Sequence, residues 1–389
     1  MIRRETGFTL IELLITMVIF VLVIAAGSQI FTGLLTQFKQ QSKISETNIE
    51  GIVGLELLKQ DIEHAGYGLP WNVIVPDDPS FDSDSDGNLW EDLSTYSEGT
   101  ANPFNLNDAP SNAPKAIVSA NNAAFVSPND IFDGSDYLVI KGVNNARNDV
   151  CQRWTTQNSS DTKRTWGSAS EDLTNTNRVI VMFPGSTDLN SRSLVVSGGN
   201  YVTTFSGTAS FAPSNSTDTH IIYGINDSSA SFPIRPFNRS DYFIERPATN
   251  MPQRCAPNTG VLYKESLNHD LGGTLNPLPL LDCVADMQVV YGLDNDNDGD
   301  FEPGVSTDNY SDDITVLTAP QVRNQVKQVR VYILAHEGQR DPNFTYSSAT
   351  ADLGGDIGLG RNFDLTTIQN YQNYRWKVYT LVVKPKNLR

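Results

Sequence analysis

The first 35 residues constrain this chain more than any other stretch, because they contain a long apolar run. Leu13–Ser28 holds no ionisable side chain, and between Phe8 and Leu35 the only one is Glu12. A helix needs about 20 apolar residues to cross the hydrocarbon core of a bilayer, which is about 30 Å thick. The sequence therefore predicts a membrane-spanning helix over about residues 8–35.

The flanks of the apolar run predict its orientation. Arg3 and Arg4 precede it, and the positive-inside rule keeps such residues on the cytoplasmic side. The run is longer than the apolar region of a secretory signal and lacks an Ala-x-Ala-like exit. We therefore expect the segment to be retained, with the rest of the chain on the far side of the membrane.

Glu12 is the residue that a plain membrane anchor does not explain. A carboxylate costs about 2.5–3.5 kcal/mol at the centre of a membrane helix, and less near its edge. Acidic residues kept at that cost usually have a specific partner. Glu12 is therefore a candidate functional residue on physical grounds alone.

The residues around Glu12 form a motif. Gly7 followed by Phe8-Thr9-Leu10-Ile11-Glu12-Leu13-Leu14 resembles the class III signal of type IV pilins and type II secretion pseudopilins. The resemblance implies cleavage by a prepilin peptidase after Gly7, N-methylation of Phe8 and retention of the apolar helix. It also implies that Glu12 neutralises the N-terminal amine of a neighbouring subunit in a fibre. An amine and a carboxylate that are each costly in lipid become tolerable as a pair.

The helix is expected to continue beyond the membrane, because residues 8–65 contain no proline. Four apolar residues then recur at helical spacing on one face: Leu55, Leu58, Ile62 and Ala65. Gly66, Gly68 and Pro70 stop the helix. The stretch Leu55–Gly68, which ends in an Ala-Gly-Tyr turn, resembles the end of the long helix in PilW-type minor pilins.

Short strand-like runs follow, separated by turn-rich spacers. They cover residues 137–141, 178–183, 193–196, 220–223, 242–244, 261–263, 287–291, 328–334 and 375–383. Such runs, with little helical pattern between them, indicate a mostly antiparallel sheet. The predicted fold class is α+β: a long N-terminal α-helix, membrane-spanning in its first half, packed on a mostly antiparallel β-sheet globular domain.

The chain is expected to have three parts: a leader peptide over residues 1–7, an N-terminal helix over 8–65 and a periplasmic or extracellular β-rich domain over 66–389. A polar insertion rich in Asp, Asn, Ser and Pro covers about 71–130 and is predicted as a long loop. No linker-like break divides the strand series, so one large domain is expected. The C-terminal motifs also resemble the PilW ending in their order: Tyr291–Asp294, Val329–Val331 and Val382–Leu388.

Two acidic loops are candidate calcium sites. Their carboxylates alternate with other residues around Gly299 and before Gly87: Asp294, Asp296, Asp298, Asp300 and Glu302 in one loop, and Asp82, Asp84 and Asp86 in the other. This matches the first half of a calcium loop, in which carboxylates converge on one hard cation. Val305 and Leu93 replace the glutamate expected at the twelfth position, so the first loop needs Asp308, Asp312, Asp313 or water for closure. The alternative is a pair of solvated turns, which Asp, Asn and Gly favour by themselves.

Three cysteines are present, Cys151, Cys255 and Cys283, and the predicted topology puts them in an oxidising compartment. One disulfide and one free thiol is the simplest arrangement. We favour Cys255 with Cys283, which closes a short loop around the strand at Val261. The alternative is three reduced, buried thiols, and no pair has the Cys-x-x-Cys spacing of a zinc or redox site.

Composition and motif content argue against two function classes. A net charge of −17 argues against a nucleic-acid surface, which would be basic. The sequence has no Gly-x-Ser-x-Gly, no His-Glu-x-x-His and no phosphate-cradling glycine loop, so an enzyme is not expected. No cofactor is required, and Ca²⁺ is the only one that the loops suggest.

The resemblance as a whole implies a minor pilin of a type IV pilus, an assembly-priming subunit at or near the fibre tip. Its partners would be other minor and major pilins, the prepilin peptidase and the inner-membrane assembly platform. Before assembly it would cross the inner membrane once, with a cytoplasmic N-terminus, and afterwards it would lie in the pilus at the cell surface. Two alternatives stay open: a J-type minor pseudopilin of type II secretion, and a calcium-dependent adhesin or binding module delivered by a pilin signal.

Overall fold

The computed structural model describes residues 9–76, 78, 80–99, 106–123, 134–146, 148–185, 192–227, 232–247, 249, 251–269 and 275–388. Within them, one long helix precedes a head built mostly of antiparallel strands. The predicted α+β class is therefore confirmed. The elements in chain order are α1 (Leu10–Glu63), β1 (Asn72–Ile74), β2 (Ile117–Ala123), β3 (Ser135–Gly142), β4 (Trp154–Asn158), β5 (Arg178–Phe183), β6 (Ser193–Val195), β7 (Val202–Thr204), β8 (Thr219–Asn226), β9 (Asn238–Glu245), β10 (Gly260–Leu267), β11 (Leu275–Asp294), β12 (Asp308–Ser311), α2 (Ala319–Gln325), β13 (Val326–Glu337), β14 (Thr350–Leu353), β15 (Arg361–Asp364) and β16 (Arg375–Val383).

Helix α1 is 54 residues long, which corresponds to about 81 Å. Thr9 caps its N-terminus, and the run has no proline to interrupt it. At the other end the ring Nδ1 of His64 lies 2.8 Å from the carbonyl oxygen of Gln60. Gly66 then adopts a φ of +77°, a left-handed conformation that glycine takes without strain and that ends the helix.

The larger sheet has the strand order β16-β13-β11-β10-β9-β3-β2, with β12 beside the far end of β11. All of its pairings are antiparallel. Strand β11 is its longest member, at 20 residues, and changes partners along its length. Its first half pairs with β10, as far as Val284, and its second half pairs with β13 from Val284 to Leu293.

Side chains from β3 support β11 where it leaves β10. Ser135 Oγ accepts a hydrogen bond from the backbone N–H of Met287 (3.1 Å), and an Asp136 carboxylate oxygen accepts one from the N–H of Val289 (2.7 Å). A buried backbone N–H without a partner would be costly, so these two side chains replace a missing strand. Strand β11 therefore has hydrogen-bond partners in both of its halves, from β10, β13 and the side chains of β3.

The smaller sheet has the order β1-β6-β5-β8-β4, with β7 also paired to β5. The β1–β6 pair is parallel and the other pairs are antiparallel. One face packs against the segment between α1 and β2, and the other buries Val179, Val181 and Ile222. The head therefore contains two main sheets. The alternation of apolar residues along the sequence predicts strands but does not show to which of the two sheets a strand belongs.

Helix α1 covers one face of the larger sheet. Leu55, Leu58, Ile62 and Ala65 lie in one apolar cluster with residues of β9, β10, β11 and β13. The opposite face buries Val290, Tyr332 and Leu334 beneath the small β14–β15 hairpin and the segment that follows it. The sheet is thus the middle layer of three.

The polar insertion over about 71–130 contributes strands β1 and β2 and part of the core. Trp90, Leu93 and Tyr96 are buried against the smaller sheet. Its acidic residues Glu98 and Asp108 are also buried, and both form ion pairs with Lys141 of β3, at 2.8 and 2.6 Å. Residues 77, 79, 100–105 and 124–130 of the insertion lie outside the described residues.

Candidate functional site

The first half of α1 is exposed along its described length. Leu10–Ser45 is long and apolar enough to cross a membrane, and none of its most apolar stretch is buried within the chain. Large side chains along it are exposed, for example Leu10, Phe20 and Phe31. An apolar surface of this size needs lipid or other helices to cover it.

Polar side chains inside this apolar stretch are satisfied by the helix itself. The hydroxyl of Thr16 donates to the carbonyl of Leu13 (2.9 Å), and that of Thr36 donates to the carbonyl of Thr32 (2.9 Å). Such local bonds remove the cost of placing a hydroxyl in lipid. They leave Glu12 as the one ionisable group of the described part of this stretch, up to Leu35.

Glu12 lies in the first turn of α1 and folds back onto the helix start. One carboxylate oxygen accepts hydrogen bonds from the backbone N–H of Thr9 (3.0 Å) and from the Thr9 hydroxyl (2.8 Å). The same hydroxyl accepts from the backbone N–H of Glu12 (3.4 Å), which completes a capping box. The carboxylate therefore points toward the N-terminus. Gly7 and Phe8, the predicted processing residues, lie outside the described residues.

The last third of α1 is joined to the head by charge as well as by apolar packing. The Asp61 carboxylate accepts hydrogen bonds from the hydroxyl of Tyr242 and from the ammonium of Lys264. Glu63 forms an ion pair with Lys386, next to the C-terminus. Sequence reasoning missed Asp61, because an acid on the polar side of a helical pattern is ordinarily solvated. Only the position of Lys264 on a distant strand reveals its partner.

The first acidic loop connects β11 to β12. Asp294 and Asp308 lie directly opposite each other as the last pair of that hairpin. One carboxylate oxygen each from Asp294, Asp296 and Asp308 lie within 4.8 Å of one another. Asp298, Asp300 and Glu302, also predicted as ligands, are exposed and are not part of this cluster. The structure thus selects Asp308 from the residues considered for closure.

The second acidic loop has the same internal hydrogen bonds as the first. Asp82 accepts from the N–H of Gly87, as Asp294 does from Gly299, both at 3.0 Å. Carboxylate oxygens of Asp82, Asp84 and Asp86 also lie within 4.8 Å of one another. Asp82 is partly exposed, however, whereas Asp294 is fully buried.

Cys255 and Cys283 form a disulfide, and Cys151 is a buried free thiol. Cys283 lies on β11, and Cys255 lies in the segment before β10. Burial raises the pKa of the Cys151 thiol to about 12, and its sulfur lies 3.2 Å from Asn238 Nδ2. Cys151 is therefore a packed, unreactive thiol.

Three of the four histidines are buried at separate places. Each ring contacts one fixed polar atom; for example, Nε2 of His336 accepts the backbone N–H of Ala256 (2.9 Å). Burial lowers the pKa of His220 and His269 and holds that of His336 at about 3. These rings are neutral near pH 7 and serve packing.

Two family models match the chain. The prokaryotic N-terminal methylation motif matches residues 2–28, and the model of type IV pilus-assembly protein W (PilW) matches residues 241–387. The second match covers most of the larger sheet, from β9 to β16, with the disulfide and the first acidic loop. No curated protein and no solved structure matches the chain.

The two matches fit the geometry. The first covers the processing signal and the membrane-compatible part of α1, and the second covers the sheet on which the rest of α1 packs. The methylation motif and the apolar helix fit a membrane-anchored pilin, and the pilin family points to interaction with other pilins. The resemblance inferred from the sequence is thus confirmed, and the two matches support a type IV pilin of the PilW type, a minor pilin.

Proposed function

We propose that this minor pilin primes the assembly of a type IV pilus and lies at or near its tip. The observation that carries the proposal is the division of α1 into an exposed apolar first half and a last third that packs on the head. The exposed half needs lipid before assembly and neighbouring helices after it. The same apolar surface of α1 thus contacts lipid before assembly and other pilin helices after it.

Glu12 supports the assembly step. Its carboxylate points toward the helix start, where a neighbour's N-terminal amine would complete a charge pair in a medium of low dielectric constant. Before assembly, the hydrogen bond from the Thr9 hydroxyl supplies part of the hydrogen bonding that the Glu12 carboxylate needs in the membrane. Cleavage after Gly7 by a prepilin peptidase and methylation of Phe8 would supply that amine. Transfer from the inner membrane would take place on the assembly platform.

The size of the head supports the tip position. The described residues of the head form two main sheets and a small hairpin on one helix, so the head is broad compared with the helix that carries it. A subunit at the end of a fibre has neighbours on one side only, and a broad head there meets no subunit beyond it. The same head within the shaft would have to be accommodated at every turn.

Replacement of Glu12 tests the assembly role. We expect Glu12→Ala and Glu12→Gln both to lower incorporation into sheared fibres at least tenfold, because each tenfold corresponds to only about 1.4 kcal/mol. Glu12→Gln keeps the side-chain size, so its failure assigns the effect to charge. Thr16→Ala is the matched control, because that hydroxyl bonds only its own helix. Unchanged incorporation of Glu12→Ala would contradict the proposal.

Two measurements test processing and position. Mass spectrometry of the mature N-terminus should find methylated Phe8, and an intact Met1 or cleavage beyond Ser28 would reject the pathway. Gold-labelled antibody against the head should mark fibre ends, and deletion of the protein should reduce the number of fibres more than their length. Labelling along the whole shaft would contradict the tip position and leave the assembly role standing.

A further inference from the structure

The hairpin loop between β11 and β12 concentrates negative charge. Residues 294–308 contain six carboxylates and no lysine or arginine. Asp294 and Asp308 close the hairpin from opposite strands, and Asp296 lies two residues into the loop. The topology therefore brings together three acids that repel one another unless a cation lies between them.

Asp294 is the residue that separates this loop from an ordinary solvated turn. Its side chain is fully buried, and its Oδ1 has no hydrogen-bond partner among the residues that the structure describes. The other oxygen, Oδ2, accepts the N–H of Gly299 (3.0 Å) and lies 3.6 Å from the ammonium of Lys327. A buried carboxylate oxygen without a partner is costly, so its retention points to a ligand.

One ammonium does not balance this cluster. Lys327 is 11% exposed and contacts Asp294 from β13, whereas Asp296 and Asp308 have only backbone N–H donors at hydrogen-bond distance among the described residues. A divalent ion bound by the three carboxylates would bring the local charge close to neutrality. The lysine would then balance the third carboxylate.

The loop is held in place by packing and not by the charged residues alone. Phe301 is buried and packs edge-on against Tyr310 of β12, with ring centroids 4.9 Å apart. Gly292 of β11 leaves the space for this ring, because a Cβ there would lie 2.7 Å from Phe301 Cε1. Asp308 also accepts the N–H of Glu302 (2.7 Å), which fixes the loop's return. The carboxylates are therefore preorganised.

The ligand chemistry favours calcium over magnesium. Oxygens on opposite sides of a Ca²⁺ ion, at about 2.3–2.6 Å from it, lie at most about 5 Å apart. The three carboxylate oxygens lie within 4.8 Å of one another, which is compatible with that limit. Mg²⁺ demands near-ideal octahedral geometry and usually keeps several waters, whereas Ca²⁺ accepts a flexible mixture of carboxylates, loop carbonyls and water.

The loop lies at the end of the larger sheet farthest from the membrane. Gly338, just after β13, contacts Ile44 of α1, whereas Lys327, beside Asp294, is at the other end of β13. These ends are about 35 Å apart, at about 3.3 Å per residue. In the predicted topology, a site there faces the external medium.

We infer that Asp294, Asp296 and Asp308 form a calcium site that rigidifies the distal end of the larger sheet. The remaining ligands would be loop carbonyls and water, as in other calcium loops. With three carboxylates the affinity is expected in the range of extracellular modules, with a Kd of about 0.1–1 mM. This inference does not depend on the tip position or on the priming role.

The test is calcium titration of the full-length chain in detergent, in an Asp84→Asn background that disables the similar loop at Asp82. We expect one bound Ca²⁺ per chain and a rise in the unfolding temperature at 10 mM CaCl₂. Adding Asp296→Asn, an exposed position, should lower the affinity at least tenfold and abolish the temperature shift. Adding Asp308→Asn should do the same.

Asp312→Asn is the matched control, because it removes a nearby carboxylate outside the cluster and should leave binding unchanged. Circular dichroism without calcium checks that each variant is folded. The inference is overturned if the background protein binds no calcium at 10 mM, or if Asp296→Asn binds it as well as the background does. Equal or tighter binding of MgCl₂ would overturn the choice of calcium.

Discussion

At the scale of single residues, the head depends on a buried network of charges. Glu98 from the polar insertion pairs with Lys141 (2.8 Å) and with Arg239 (3.0 Å), and Arg239 also forms two 2.7 Å bonds to Asp241. All are nearly or fully buried. Burial by itself raises the pKa of Glu98, but the two cations outweigh it and hold that pKa at about 2. The acid is therefore charged in the folded protein.

Glu98→Gln should destabilise the head strongly, because it leaves two buried cations short of one carboxylate. We expect the free energy of unfolding at pH 7 to fall by about 3–5 kcal/mol, measured by denaturant titration. Glu171→Gln, at an exposed carboxylate, should change it by less than about 0.5 kcal/mol. A similarly small effect of Glu98→Gln would mean that the network contributes nothing to stability.

The stability difference between the wild-type chain and Glu98→Gln should depend on pH. The folded pKa of Glu98, about 2, lies below its ordinary value of 4.5, so the unfolded chain binds the proton more readily. The stability from Glu98 is therefore fully present above about pH 4.5 and is lost as the pH falls toward 2. The stability difference between the wild-type chain and Glu98→Gln should shrink over that window. A constant difference would contradict the assigned pKa.

At the scale of elements, the contact between α1 and β11 decides how helix and sheet fit. Gly54 lies against the β11 backbone, where a Cβ would be 2.1 Å from the carbonyl oxygen of Leu280. Gly51, one turn earlier, faces the Leu281 side chain, and a Cβ there would be 3.0 Å from Cδ1. Two glycines on one helix face thus meet different neighbours, one rigid and one adaptable.

Gly54→Ala and Gly51→Ala should therefore change the free energy of unfolding in different directions. Alanine favours a helix by up to about 1 kcal/mol over glycine at either position. At Gly54 the clash with backbone should exceed this gain and lower the free energy of unfolding by about 1–3 kcal/mol. At Gly51 the Leu281 methyl can move, so stability should be unchanged or higher. Thermal and denaturant unfolding of the two variants decide the point, and equal effects would contradict the close approach.

The sequence predicted elements best where the apolar signal is local. The run Arg178–Phe183 coincides with β5, and all nine predicted strands overlap observed ones. Strand β4 was missed because Trp154–Asn158 is mostly polar. Strand β11 was found only in its second half, because Pro277 and Pro279 interrupt the pattern in its first half. Those prolines are tolerated since the first half of β11 has no partner on its β13 side.

The candidate site was predictable to a similar extent. Glu12 stands out because it is an isolated charge in an apolar run, and the acids around Gly299 stand out by their spacing. The selection of Asp308 over Asp312 or Asp313 depends on hairpin register. The contact of Asp61 with Lys264 depends on a strand 203 residues away in the sequence. Neither the selection of Asp308 nor the partner of Asp61 can be predicted from the neighbouring residues in the sequence.

At the scale of the whole molecule, an apolar stripe on α1 extends beyond the membrane-compatible part. Ile49, Ile52 and Val53 follow helical spacing and are each more than 60% exposed, on the side away from the larger sheet. Leu55 and Leu58, only a few residues later, are buried against that sheet. One face of the helix thus packs on its own head, and another apolar face is exposed.

Replacing Ile49, Ile52 and Val53 by serine should impair assembly without unfolding the subunit. Because these side chains are already exposed, the unfolding temperature should barely change. Incorporation into sheared fibres should fall severalfold, since helix packing there loses apolar area. Gln60→Ser, also exposed on α1, serves as the control. Normal incorporation of the triple variant would mean that this stripe faces no neighbour.

The continuity of α1 into the head has a mechanical consequence. The helix runs uninterrupted from Leu10 to Glu63, and its end packs on the larger sheet. There Asp61 pairs with Lys264 in a largely buried position, and Glu63 pairs with Lys386 at the surface. A load applied to the head reaches the helix in shear, spread over the whole packed interface. The head and the packed end of α1 therefore move as one rigid body, and bending of the subunit takes place in the exposed first half of α1.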